Sequence, residues 1–329
     1  MTAKRFGALL VAVALVVGAL ILRNTLNANT SSGADSTGGT PSKGSQTLIC
    51  STEFAAVCEG LGAAIDVTVE PAGTTLDRLA KATVGDLPDV WLTLEPFPAM
   101  LEQTRTRTGF GSAVASSTTV AVTDPKLTLL ADRGGALQTT CGSAMLWKCV
   151  GDLAGGQWAD HGGKAEWTTI KPSFQNPASE AIGLLVLANF VAGYFAGSDI
   201  SAKPLEGDTN LARWLRGLGK NVAVTASGTT PLITMLTRGS ALNVATTDTA
   251  ELSTLAEART AKYATLAPEP VIQLRAVLAR LSPANTGDLL AQVGALLTKS
   301  GWGSPNFDQP TLSESTFITL RQLWKDTNK

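Results

Sequence analysis

Small hydroxyl and amide side chains recur in this chain where an apolar strand-like run gives way to a helix-like one. Ser51 and Thr52 close the first such run, Thr74 and Thr75 follow Gly73, and Ser116 and Ser117 precede residues 118–123. Asn176 and Ser179 open a long apolar stretch, and Thr246 and Thr247 end a short strand. Positions of this kind set an oxygen beside the free N–H groups and partial positive charge of a helix amino terminus, which suits non-covalent capture of an anion or a hydroxyl. Each has an equally ordinary use as a helix cap. Two charged candidates join them. Arg238, in LTRGS, is suited to clamping an anion bidentately or pairing with a carboxylate. Glu95, at the end of DVWLTLEP, is suited to a cation or a sugar hydroxyl, or is an ordinary loop carboxylate.

Covalent chemistry lacks its parts. The single histidine, His161, sits in the Gly-rich segment DHGGK. A Ser-His-Asp set would rest on that one loop residue. There is no GxSxG, no P-loop and no GxGxxG after a strand. No catalytic residue, cofactor or metal is therefore expected, and the chain is read as not an enzyme. The net charge is −1 with no basic stripe, which sets nucleic acid aside. The four cysteines form two close pairs, Cys50/Cys58 and Cys141/Cys149. Three pairings are possible; local disulfides are the simplest, and zinc is disfavoured by the spacing. The seven tryptophans read as core packing, with stacking on a sugar ring open for one or two.

The elements that must position these residues alternate in type. Residues 47–51 (TLICS), 65–70 (IDVTVE), 89–94 (DVWLTL) and 118–123 (TTVAVT) read as strands, with helices at 52–64 and 76–84. Helices follow at 128–136 and 151–160, then a strand at 167–171. Asn176 as N-cap and Pro177 at the first helical position introduce a helix at 180–195. Further helices are expected at 211–218, 231–237, 249–257, 287–300 and 313–325, with strands at 243–246 and 263–266. The pattern predicts an α/β fold.

Residues 7–22, GALLVAVALVVGALIL, form an unbroken apolar run with Lys4 and Arg5 before it and Arg23 after it. Its length lies between a spanning helix of ~20 residues and a signal core of ~7–15. The basic flank favours a cytoplasmic amino terminus, and the run ends ALILR, a poor cleavage site. An uncleaved anchor at residues 1–23 and a flexible linker at 24–46 are expected; a cleaved signal is the alternative. That places the rest of the chain outside the cytoplasm, single-pass in the cell membrane, where disulfides persist.

A family resemblance runs over nearly all of residues 47–329. CSTEF follows the first strand, and PDVWL occupies 88–92. SSTTVAV at 116–122, Trp147 with Gly151-Asp152-Leu153, and IKPSFQNPASEAIGLLVL at 170–187 come next. LTRGSALNVATTD at 236–248 and LLTKSGWGSPNF at 296–307 complete the set. In order and spacing these segments resemble type 2 periplasmic (extracellular) solute-binding proteins, most nearly the membrane-anchored domains of actinobacteria. The resemblance implies two α/β lobes joined by crossing strands, with a small-molecule ligand in an interlobe cleft. It assigns 47–118 plus 262–329 to lobe 1 and 119–261 to lobe 2. It also implies a transporter permease of the ABC type as partner. An anchored sensor or envelope-interaction domain is the second reading. At the crossing the family often has Ser-Pro where this chain has Ser-Ser-Thr, which weakens a family-like contact there.

Overall fold

In the computed structural model the described residues are 46–142, 146–197, 199–201, 203–238, 243–253, 261–281, 286–305 and 312–328. The expected anchor, and the expected linker save Gln46, lie outside them. Among the described residues no helix is long and apolar enough to cross a membrane.

The chain runs β1 (Gln46–Cys50), α1 (Ala55–Glu59), β2 (Ile65–Val69), α2 (Ala72–Leu79), β3 (Val90–Leu94), α3 (Phe97–Thr108), β4 (Ser116–Thr123) and β5 (Pro125–Leu130). It continues α4 (Ala131–Cys141), α5 (Leu146–Leu153), β6 (Pro172–Gln175), α6 (Ala181–Tyr194), α7 (Thr209–Asn221), β7 (Ala223–Thr225) and α8 (Pro231–Thr237). Then come β8 (Val244–Asp248), α9 (Thr249–Ser253), β9 (Tyr263–Leu266), β10 (Leu274–Arg280), α10 (Gly287–Lys299) and α11 (Glu314–Thr327).

These strands build two mixed sheets, ordered β2-β1-β3-β10-β4 and β7-β6-β8-β5-β9. In the first, β1 is parallel to β2 and β3, while β10 is antiparallel to β3 and β4. In the second, β6 is parallel to β7 and β8, while β5 is antiparallel to β8 and β9. The chain passes from the first sheet to the second at Asp124, between β4 and β5, and returns between β9 and β10.

Three strand reads change with the sheets in view. β4 pairs with β10 over its whole length, from Ser116 to Thr123, so it belongs to the first sheet and the crossing falls at Asp124 instead of 118–119. Residues 125–130 are a strand, locked between β8 and β9, where a helix at 128–136 was expected; the helix starts at Ala131. The second-lobe strand likewise begins at Pro172, after the expected strand at 167–171, whose first residue, Trp167, ends a 3-10 turn at Ala165–Trp167.

α6, AIGLLVLANFVAGY, is apolar on every side and nearly all buried, as a helix of that pattern must be. Around it Phe190 meets Trp147 and Phe174, and Phe174 meets Trp324 of α11. One hydrophobic core runs without a break from Leu48 and Trp91 of the first sheet to Leu187 and Leu215 of the second lobe. Inside it Asn189 is fully buried, and its carboxamide donates to the Leu185 and Ile272 carbonyls and accepts from the Ile272 amide. That satisfies a buried amide while tying α6 to the returning crossing. Both local disulfides form, Cys50–Cys58 and Cys141–Cys149, with Cα separations of 6.6 and 5.7 Å.

Candidate functional site

A cleft of about 360 Å³ opens where the carboxyl end of β1 faces the carboxyl ends of β6 and β8. This is where ligands sit in open α/β sheets, outside the strand ends. After β1 the chain turns at once into a 3-10 turn, Thr52–Phe54. Phe54 is driven inward against Trp302, with ring centroids 5.5 Å apart, and that leaves Thr52 and Glu53 on the cleft wall. From the other lobe come Gln175 at the end of β6, Thr246, Thr247 and Asp248 at the end of β8, and Glu251 and Thr230 beside them. Gly183 lets α6 approach the end of β6, since a Cβ there would stand 2.3 Å from the Gln175 carbonyl oxygen.

A hydroxyl links the two walls at the cleft. Glu180 precedes α6 as its N-cap, yet its side chain does not cap the helix. It is 1% exposed, and its Oε2 accepts the Thr52 hydroxyl from across the cleft. The same hydroxyl oxygen lies 3.5 Å from Glu53 Oε2. Burial pushes the Glu53 carboxyl up to about 8; its own backbone N–H opposes this, and the neighbouring Glu180 charge adds to it. Glu251 accepts from the Thr230 and Thr247 hydroxyls, and burial still raises it to about 7. Asp248 is raised by burial too, although its Oδ1 accepts the Glu251 amide at 2.8 Å at the start of α9.

Four acceptor or hydroxyl atoms around this wall are shut from solvent without a hydrogen-bond partner: Glu53 Oε1, Glu180 Oε1, Gln175 Oε1 and Thr246 Oγ1. Unpaired buried polar atoms are costly and rare, so four at one place mark a site built for something else to complete. The described lining carries no Lys, Arg or His. Of the anion or hydroxyl that helix termini alone would suit, this lining disfavours the anion.

The residues singled out from sequence scatter. Thr52 and Thr246 reach the cleft wall. Ser51 is buried one step behind, its hydroxyl donating to Thr93 Oγ1 at 2.8 Å and its amide to Leu92 O. Asn176 and Ser179 form the turn before α6: Asn176 Oδ1 accepts from the Ala178 amide, and the Ser179 carbonyl accepts from the Gly73 amide of the other lobe. Thr74 and Thr75 lie within α2, which starts earlier than expected; Thr74 is exposed, and Thr75 donates to Glu70 at 2.7 Å. Glu95 pairs with Arg275 at 3.6 Å and lines a separate cavity behind the crossing strands. Ser116 and Ser117 are exposed at the end of β4 remote from the crossing. Arg238 is exposed at the end of α8, outside the cleft lining.

Glu53, Gln175, Glu180, Asp248, Glu251 and Thr230 were missed. The one signal for them was position: Glu53 stands next to Thr52 in CSTEF, and Glu180 next to Ser179 in NPASE.

No protein-family model and no curated protein matches the chain. Solved structures do. A periplasmic thiamin binding protein is 12% identical with a TM-score of 0.54, covering 90% of this chain and 100% of that one. The periplasmic binding protein AfuA from Actinobacillus pleuropneumoniae, with exogenous fructose-6-phosphate bound, is 15% identical at 0.53, covering 87% and 98%. A ferric binding protein from Campylobacter jejuni is 11% identical at 0.52, covering 86% and 97%. The chain therefore has the α/β fold of periplasmic binding proteins.

Proposed function

We propose that the chain is an extracytoplasmic solute-binding protein of the type 2 class, which captures a small ligand between its lobes and delivers it to a membrane permease of the ABC type. The observation that carries this is the cleft at the strand ends, with buried polar atoms from both lobes left unpaired. Similar structures are named for small ligands, namely thiamin, fructose-6-phosphate and ferric ion. In this reading no bond is made or broken, and the protein is not an enzyme. Asp124 and residues 267–273 act as the hinge about which the lobes open and close. The apolar run at 7–22 tethers the domain to the cell membrane; its basic flanks, the polar stretch behind it and the two disulfides support that placement.

Thermal unfolding of the purified full chain against oxyanions, metal ions, sugars, amino acids and polyamines tests it. A ligand at ~100 times its Kd adds ~2.7 kcal/mol to the folded state. A rise of several degrees is expected, at about 2–4 °C per kcal/mol. No shift with any compound would count against capture and favour the anchored sensor or envelope-interaction role.

A further inference from the structure

We propose that the cleft selects a small organic cation, an amine- or amidinium-bearing solute whose N–H groups complete Glu53, Glu180 and Gln175. This rests on the binding-protein reading and narrows it. Three of the four unpaired atoms lack the same kind of partner, and the fourth, the Thr246 hydroxyl, can accept as well as donate. Glu53 Oε1, Glu180 Oε1 and Gln175 Oε1 are all acceptors, and Gln175 and Glu180 are only 2% and 1% exposed. An occupant must therefore bring donors. It must also bring positive charge, because the described wall presents Glu53, Asp248 and Glu251, with Glu180 against it, and no basic side chain.

The Thr52 hydroxyl makes the same point. It has one proton and two carboxylates in reach, Glu180 Oε2 and Glu53 Oε2. Since Thr52 donates that proton to Glu180 Oε2 in a hydrogen bond, the Glu53 carboxyl is left to hold a proton of its own or to meet a cation. A phosphate, sulfate or carboxylate would bring further acceptors and negative charge to this wall, whereas a cation stabilises the ionised form of Glu53 that burial alone disfavours. A bare metal ion is served poorly, since among the described residues no three His, Cys, Asp or Glu side chains converge to hold one. An organic cation suits the rest of the wall: Val57, Ile182, Pro231 and Ile233 are apolar, and Trp302 adds an aromatic side chain to the lining.

The experiment is isothermal titration of the full chain with putrescine, spermidine, agmatine and thiamin, beside phosphate, sulfate, citrate, glucose and Mg²⁺. Saturable binding by at least one cation is expected, weakened about tenfold or more by Glu53→Gln and by Glu180→Gln. On the unmodified protein at pH 7.5 the heat should also vary with the ionisation enthalpy of the buffer, because the cation displaces the Glu53 proton; this readout does not depend on a variant folding. Binding of an anion, a sugar or Mg²⁺ with silence from every cation would overturn the cation and leave the binding-protein reading standing. Cation binding with neither proton release nor sensitivity to the two Gln variants would place it elsewhere and also overturn the proposal. Silence from all compounds, with the chain folded by circular dichroism, would overturn both.

Discussion

The Gly73 amide donates to the Ser179 carbonyl at 2.7 Å, a main-chain hydrogen bond between the two lobes. The approach is possible because residue 73 has no side chain: a Cβ there would fall 2.5 Å from the Ala178 carbonyl oxygen and 2.9 Å from the Ser179 Cα. Gly73→Val should hold the lobes apart. Small-angle scattering should show a larger radius of gyration, ligand affinity should fall, and denaturant titration should show a loss of about 1–3 kcal/mol from overpacking. An unchanged scattering profile with unchanged affinity would show that closure does not pass through this contact.

Arg321 of α11 fastens the same junction. Its guanidinium donates to both Asp77 oxygens at 2.8 and 2.9 Å, to Gly73 O at 3.0 Å and to Ala178 O at 2.8 Å. Arg321→Met strips all of these and strands two carbonyls, so a cost of about 2–3 kcal/mol is expected in urea unfolding. Asp77→Asn removes only the exposed end of the pair and should cost less than about 1 kcal/mol. Equal losses would mean that the carbonyl contacts carry nothing.

The cleft carboxyls set a pH dependence. Burial raises Glu53 to about 8 and Glu251 to about 7, against an ordinary value of 4.5. The folded protein thus binds protons more tightly than the unfolded chain. Their contribution to stability is fully present below about 4.5, falls as pH rises, and is gone above about 8. Glu53→Gln should raise Tm by several degrees at pH 9 and leave it nearly unchanged at pH 4. A difference of equal size at both pH values would contradict the assignment.

The Cys50–Cys58 disulfide closes a short loop that contains Ser51, Thr52 and Glu53. Chain entropy for a loop of this size gives about 2.5 kcal/mol. The double variant Cys50→Ala, Cys58→Ala should lose about that much in urea unfolding. It should also lose ligand affinity, because the segment carrying two cleft residues is no longer pinned. Full affinity in the variant would show that Phe54 and its contact with Trp302 suffice to place them.

The alternation of strands and helices, the long helix α6 and both disulfides were legible, because each depends on residues near one another in the chain. Several elements were not, among them β5, which was expected as part of a helix, and the short β7. β10, LRAVLAR, lies between two other strands and is buried on both sides, so it shows no polar alternation to read. α3, FPAMLEQTRTRT, ends in alternating Thr and Arg that reads as a solvated tail, yet Arg105 is buried and donates to the Gly111, Leu79 and Ala82 carbonyls. Of the residues expected from sequence, Thr52 and Thr246 reach the cleft wall, Thr52 because it follows β1 closely and Thr246 because it lies in the last half of β8. Glu53 and Glu180 were passed over because a carboxylate in a turn reads as solvated. Their burial comes from the meeting of two lobes, which local sequence does not record. Ser116 and Ser117 sit on the correct strand at the wrong end, since the sequence does not show which end of β4 meets the crossing.

The place of β10 between β3 and β4 bears on how the chain is made. Synthesis delivers β3 and β4 early, but residues 274–280 emerge only after every strand of the second sheet. Until then β3 carries an open edge and β4 has no neighbouring strand in its sheet. The first sheet is begun first and finished last. The nascent polypeptide therefore passes through a long interval in which unpaired strands invite association with other chains, and its yield should respond to holdase chaperones more than that of a protein whose halves fold in order of synthesis.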